Sequence, residues 1–254
     1  MTCTALRGAD NRDIDRGDGR IARVCETDDP VTVRAASADL MVAWMSLVAL
    51  HVDVAHATPV GIRLLGAYAE PHRHYHDTRH LTEVLAHVDH LAPAAHDANL
   101  VRLAAWFHDV VYDPTRTDNE HASALIALEI LGELGLAAAR CDAVARLVRL
   151  TATHAPAPGD ADGAVLCDAD LAVLGSEPAR YDDYRDDVRR EYAHLSDTQF
   201  ARGRSDVLRR LVRRDPLFRT PAAQLRWEAR ARANMGRELE RLSLAPRHVP
   251  GLPG

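Results

Sequence analysis

Apolar residues recur at three- and four-residue spacing along most of positions 38–242, and they almost nowhere alternate. Leu81, Val84, Leu85, Val88 and Leu91 form one such stripe, and Leu103, Ala104, Phe107 and Val111 another. That period marks amphipathic helices; a half-buried strand would repeat every second residue. Asn-Gly hairpin turns and glycine-rich phosphate loops are missing. The fold class expected is therefore all-α, with roughly nine or ten helices and short connections. The pattern places them at Ala38–Val52, Pro59–Glu70, His80–Leu91, Leu100–Val111, Asn119–Leu134, Ala138–Thr153, Gly163–Leu174, Glu177–Leu195, Thr198–Arg213 and Pro221–Leu242. The alternating run PHRHYH, residues 71–76, is short and opens on proline, so it reads as an extended loop.

The 254 residues suffice for one sizeable core. Residues 1–36 carry seven acidic and six basic side chains and no aromatic one, which reads as a disordered tail. The helical domain then covers 37–242, and the proline-containing 243–254 a frayed end. A net charge of −6 disfavours a generic nucleic-acid binder. The arginine-rich stretch containing Arg202, Arg204, Arg209, Arg210, Arg213 and Arg214 is interleaved with acids and reads as a solvated, salt-bridged face. There is no apolar run near the ~20 residues of a membrane helix and no apolar signal core at the N-terminus, so the expected location is cytoplasmic, away from membranes. The four cysteines show no CxxC spacing and read as reduced thiols. All 31 basic residues are arginine, which excludes lysine Schiff bases and the lysine of a phosphate-binding loop.

Histidine is the chemically informative residue: 11 of the 14 lie between His51 and His121. Three places stand out. His80 sits at the edge of an apolar stripe, where a neutral imidazole binds a metal or hydrogen-bonds to a neighbouring helix. His108-Asp109 follows the apolar segment AAWF, and a carboxylate ionised there needs a cation or an arginine as partner. Asp168 and Asp170 lie inside the apolar run AVLCDADLAVLG; two residues apart, they do not share a helix face, so one of them is the main ligand if a cation is the reason for them. Together the three give a mixed nitrogen and oxygen set that suits Mn²⁺, Fe²⁺, Zn²⁺, Co²⁺ or Ni²⁺ without selecting among them.

The motifs YAEPHRHYHDTRHL, AAWFHDVVYDPTRTDNEHASA, LTATH, LCDADLAVLG, REYAHLSDTQFARGRSDVL and WEARARANMGREL carry a resemblance across residues 38–242. The chain resembles HD-domain proteins, and among them a bacterial group of predicted metal-dependent HD phosphohydrolases. The resemblance implies a helical HD bundle holding one or two divalent transition-metal ions on His80, His108, Asp109 and Asp170, with Asp168 the alternative for the last position. It implies catalytic roles for Asp109, for Glu120 in the DNEHASA stretch, where Ser123 also lines the pocket, and for His154, placed where some relatives hold a second metal or a phosphate. Arg73, Arg79 and His76 are the nearest candidates for contacting the substrate, and His72 and His74 for its mouth. His87 is one helical repeat from His80 and suits a supporting position.

The implied activity is hydrolysis of a phosphate ester, a nucleotide or another small phosphorylated metabolite, by metal-activated water. The alternatives on the same residues are a non-catalytic regulatory module that binds nucleotide or metal, and a di-iron oxygenase. A helical domain of this size is also compatible with a homodimer.

Overall fold

The computed structural model describes residues 30–49 and 52–244, with side chains from Ser37 onward. Among these residues the fold is all-α, with ten helices and no strand. They are α1 Pro30–Val48, α2 Val54–Tyr68, α3 Thr78–Leu91, α4 Ala98–Phe107, α5 Asn119–Glu133, α6 Ala138–Leu150, α7 Ala161–Leu171, α8 Pro178–Glu191, α9 Asp197–Val212 and a last helix, α10. This last one runs through Pro221–Ala223, a π-helical turn Gln224–Glu228, and Ala229–Leu244. Most of the tail expected over 1–36 lies outside the described residues, but its last seven positions, from Pro30, are already in α1. Of the frayed end expected over 243–254, only Ser243 and Leu244 are described, and both are helical.

Local chemistry explains the boundaries. The second helix begins at Val54 and not at Pro59, because the Asp53 carboxylate caps it by accepting the Ala55 N–H; Pro59 falls inside. Asp77 caps α3 by accepting the N–H groups of Arg79 and His80, which moves the start upstream of His80. The fourth helix stops at Phe107, so His108 and Asp109 occupy its C-terminal turn. Ser196 and Gln199 form a reciprocal capping box on α9.

The central helix, α4, packs on α3, α6 and α7, while α5 pairs with α6. Trp44 and Trp106 meet edge to face at 5.4 Å in the core, and the Trp44 indole donates to the Ala57 carbonyl. One correction concerns the arginine-rich half. Arg204 is not solvated; it is buried and donates twice to Glu238, which also accepts the Tyr181 hydroxyl.

Helices α1 and α2 approach closely at Gly61. A Cβ there would lie 2.6 Å from the Trp44 ring and 2.8 Å from the Met41 sulfur, whereas one at Gly66 would meet nothing within 4 Å. Gly61→Val should therefore cost about 1–3 kcal/mol through overpacking. Gly66→Ala should change stability by under about 1 kcal/mol, in the stabilising direction. Equal Tm shifts for the two variants would contradict this packing.

Candidate metal centre

Three elements deliver the candidate ligands to one buried point. His80 comes from the first turn of α3, His108 and Asp109 from the end of α4, and Asp170 from the last turn of α7. The two imidazoles face each other, Nε2 to Nε2, at 3.0 Å. Asp170 Oδ1 lies 3.3 Å from His80 Nε2 and 3.6 Å from His108 Nε2. Asp109 Oδ2 lies 3.5 Å and 3.1 Å from the same two atoms. The ligand atoms of His80, His108 and Asp170 all fall within 4.8 Å of one another; Asp109, against both imidazoles, stands beside that triad as a fourth donor and its second oxygen.

These separations test whether a cation suits the site. Ligand atoms about 2.1 Å from an ion, and 90–109° apart around it, are about 3.0–3.4 Å from each other. The observed 3.0–3.6 Å edges match that polyhedron closely. The tautomer also fits: His108 Nδ1 lies 2.8 Å from the Ala105 carbonyl and donates to it, leaving the Nε2 lone pair facing inward.

Electrostatics point the same way. Burial alone would push both imidazoles down, but Asp109 and Asp170 outweigh it and hold His80 and His108 above the ordinary histidine range. Burial would push the two carboxyls up, yet the imidazoles hold both well below the usual range. The centre therefore balances two ionised carboxylates with positive charge on the facing imidazoles, a balance that a bound cation would keep in their place.

The surrounding residues fall into distinct roles. His154 Nε2 lies 2.6 Å from Asp170 Oδ2 and orients that carboxylate. It does so from a left-handed backbone, φ 48°, unusual for a non-glycine residue, and Arg214 holds the Thr153 and His154 carbonyls. Glu120 is buried in the first turn of α5. Burial first, then repulsion from Asp109 and Asp170, raises its carboxyl above the usual range. His76 is buried, stacks on Tyr112 at 4.1 Å and meets the His80 ring edge to face at 5.6 Å.

Several expectations need correction. Arg73 is not a substrate contact. Its side chain is 0% exposed and fully used, donating to Glu70 and to the carbonyls of His76, Asp109 and Val110, so it ties the 70–77 loop to the end of α4. Arg79 points to solvent, 46% exposed, beside Glu83 and Asp183. Ser123 does not line a pocket: it is buried and its hydroxyl accepts the Val111 N–H. Asp168, the alternative last ligand, is turned the other way and accepts the Arg219 and Thr220 N–H groups and the Thr220 hydroxyl. His72 sits at the loop surface with Nε2 2.9 Å from the Tyr112 carbonyl. His87 packs on Trp227 at 4.9 Å, and burial drops its pKa to about 4.

Glu191 is the anchor of the candidate site that the sequence reading missed. One oxygen accepts the N–H groups of His74, Tyr75 and His76; the other accepts His76 Nδ1–H and the Tyr112 hydroxyl. A signal for it existed: Glu191 lies on the buried stripe of α8, three residues after Val188 and seven after Tyr184.

Comparisons with known proteins add nothing to this geometry: no family model, no curated protein and no solved structure matches the chain. Among the described residues no helix is long and apolar enough to cross a membrane.

Two outcomes follow. In protein purified without tag histidines, elemental analysis should find one or two metal equivalents in wild type and none in His108→Ala or Asp170→Asn, with helical content retained. Asp168→Asn should keep its metal and lose about 1–3 kcal/mol of stability; metal loss in that variant would reverse the assignment of the two aspartates. The second outcome concerns pH. Despite burial, the His76 charge and the hydrogen bonds it accepts hold Glu191 at about 2, below its ordinary 4.5. Its contribution is thus fully present above pH 4.5 and lost as pH falls toward 2. Urea unfolding across that window should show a shallower acid loss in Glu191→Gln than in wild type; parallel curves would contradict this.

Proposed function

We propose that the chain is an HD-type metal-dependent phosphohydrolase that cleaves a small phosphate ester, a nucleotide or a similar metabolite, in the cytoplasm. The observation that carries this reading is the convergence of His80, His108, Asp109 and Asp170 on one buried point at ligand-to-ligand spacing. The resemblance of the motifs supports it, and so do the buried free thiols of Cys141 and Cys167, which suit a reducing compartment. Mn²⁺, Fe²⁺, Zn²⁺, Co²⁺ and Ni²⁺ all suit this donor set. A divalent cation held there supplies Lewis acidity toward a phosphoryl oxygen and acidifies water at neutral pH.

The protein's own side chains then divide the work. His154 keeps Asp170 turned so that Oδ1 faces the two imidazoles. Glu120, whose carboxyl burial and the neighbouring Asp109 and Asp170 hold above the usual range, is suited to accept and release a proton. His76 is suited to the opposite end of the reaction. Its Nδ1–H is fixed on Glu191, so a proton given to the departing alkoxide would come from Nε2 of the imidazolium form, leaving the neutral ring with its Nδ1–H still on Glu191. Tyr112 stacks on the His76 ring and shares the same Glu191 oxygen, which fixes the ring plane. Substrate binding falls to the groups around these, since Arg73 is fully occupied.

The test is a screen of phosphate esters on metal-loaded protein. With Mn²⁺, wild type should hydrolyse p-nitrophenyl phosphate and at least one alkyl phosphate, and His108→Ala neither. His76→Ala should lower kcat on the alkyl ester by about 10²–10⁴ and have much less effect on the aryl ester, whose leaving group needs no proton. Metal-loaded wild type that cleaves no ester would defeat the reading, and equal losses on both esters would defeat the role given to His76.

A further inference from the structure

Away from the metal centre, the chain presents a second feature that the proposed reaction does not use. The loop after His154, the start of α7 and the segment before α10 border an open surface pocket of about 400 Å³, with Ala157, Pro158 and Arg219 exposed at its rim. That is within the roughly 300–1,000 Å³ of small-molecule sites. Pro156, Ala157, Pro158, Asp160, Ala164 and Arg219 line it. Ala161, Ala164 and Asp168 share one flank of α7, and Asp170 lies ~200° around the helix from Asp168. The helix therefore stands between this pocket and the candidate metal centre.

The lining has a definite chemistry. Its walls are prolines and alanines, flat and apolar. Its one acid is already neutralised: Asp160 is held by Arg146 at 2.6 and 3.2 Å and accepts the Gly163 N–H at 3.0 Å. Arg219 supplies the opposite character. Its backbone N–H is fixed on Asp168 at 2.8 Å, while its exposed guanidinium has no ion pair among the described residues. Arg214 and Arg210 stand close by; burial first, then Arg219 and Arg210, push the Arg214 guanidinium down. A guanidinium that makes no salt bridge among the described residues, with Asp168 as its counter-charge beyond salt-bridge distance, thus borders an apolar slot. Guanidinium groups match phosphate geometry and also stack on flat rings.

We propose that this pocket binds an aromatic phosphate of the nucleoside monophosphate class, with its ring against Pro156, Pro158 and Ala164 and its phosphate on Arg219. The loop that walls it starts two residues after His154, whose carbonyl Arg214 holds. An occupant is therefore placed to bias the bond from His154 to Asp170. That regulatory half rests on the metal-centre reading; the binding itself does not.

Isothermal titration of the full chain in EDTA separates the two, because no hydrolysis enters the readout. Adenosine monophosphate should bind wild type with sub-millimolar affinity. Inorganic phosphate alone and adenosine alone should each bind about tenfold more weakly or worse. Arg219→Ala, which removes an exposed side chain, and Ala164→Trp, which fills the slot, should each weaken adenosine monophosphate about tenfold or more. No heat with wild type, or undiminished affinity in Arg219→Ala, overturns the proposal. The arginine variant decides the matter even if the tryptophan variant fails to fold.

Discussion

One carboxylate, Glu191, holds the site-bearing loop in place. Its side chain has no exposure, yet it accepts five hydrogen bonds, three of them from consecutive backbone N–H groups. A buried acid with fewer partners would be costly; this one is satisfied by the loop it orders. The same three residues, His74 to His76, lead directly into the Asp77 cap and the first turn of α3, where His80 sits. Arg73 completes the construction from the other side by binding carbonyls of both the loop and the end of α4. The relative position of His80 and His108 is thus set by one buried acid and one buried base, both drawn from outside the ligand set.

Most of the fold was legible in the sequence because helical periodicity is a local property. The stripe Leu81, Val84, Val88, Leu91 is written in the chain and is the buried face of α3. Boundaries were less legible, since caps decide them: Asp53 and Asp77 each moved a helix start upstream of the position that the apolar pattern marked. Candidate ligands were legible for a related reason. Histidines and aspartates in apolar helices are conspicuous, and the structure brings His80, His108, Asp109 and Asp170 together.

The illegible part was the pairing of polar groups across long stretches of chain. Arg73 and Arg79 look equivalent in sequence, six residues apart beside the same histidines. One is wholly buried and the other half in water, because the end of α4 offers carbonyls to the first and only solvent and acids surround the second. Glu191 is separated from His76 by 115 residues, so no local pattern could connect them. Ser123 was placed in a pocket by motif alone, while its actual partner is the Val111 backbone twelve residues earlier.

Asp168 and Asp170 show how a helix divides one short motif between stability and chemistry. Their ~200° separation around α7 sends the two carboxylates to opposite sides. Asp168 meets two N–H groups and a hydroxyl at the start of α10, a complete set of partners that leaves no need for a cation. Asp170 meets three imidazoles, groups whose nitrogens serve a metal as well as a proton. What separates a structural aspartate from a candidate ligand here is therefore the kind of partner and not burial, since both are buried in the same helix. The two roles remain coupled: the Asp168 anchor positions the segment carrying Arg214 and Arg219, and Arg214 returns to hold the backbone of His154, which orients Asp170. The two sides of α7 are thus joined by a path of hydrogen bonds and the intervening backbone of residues 214–219.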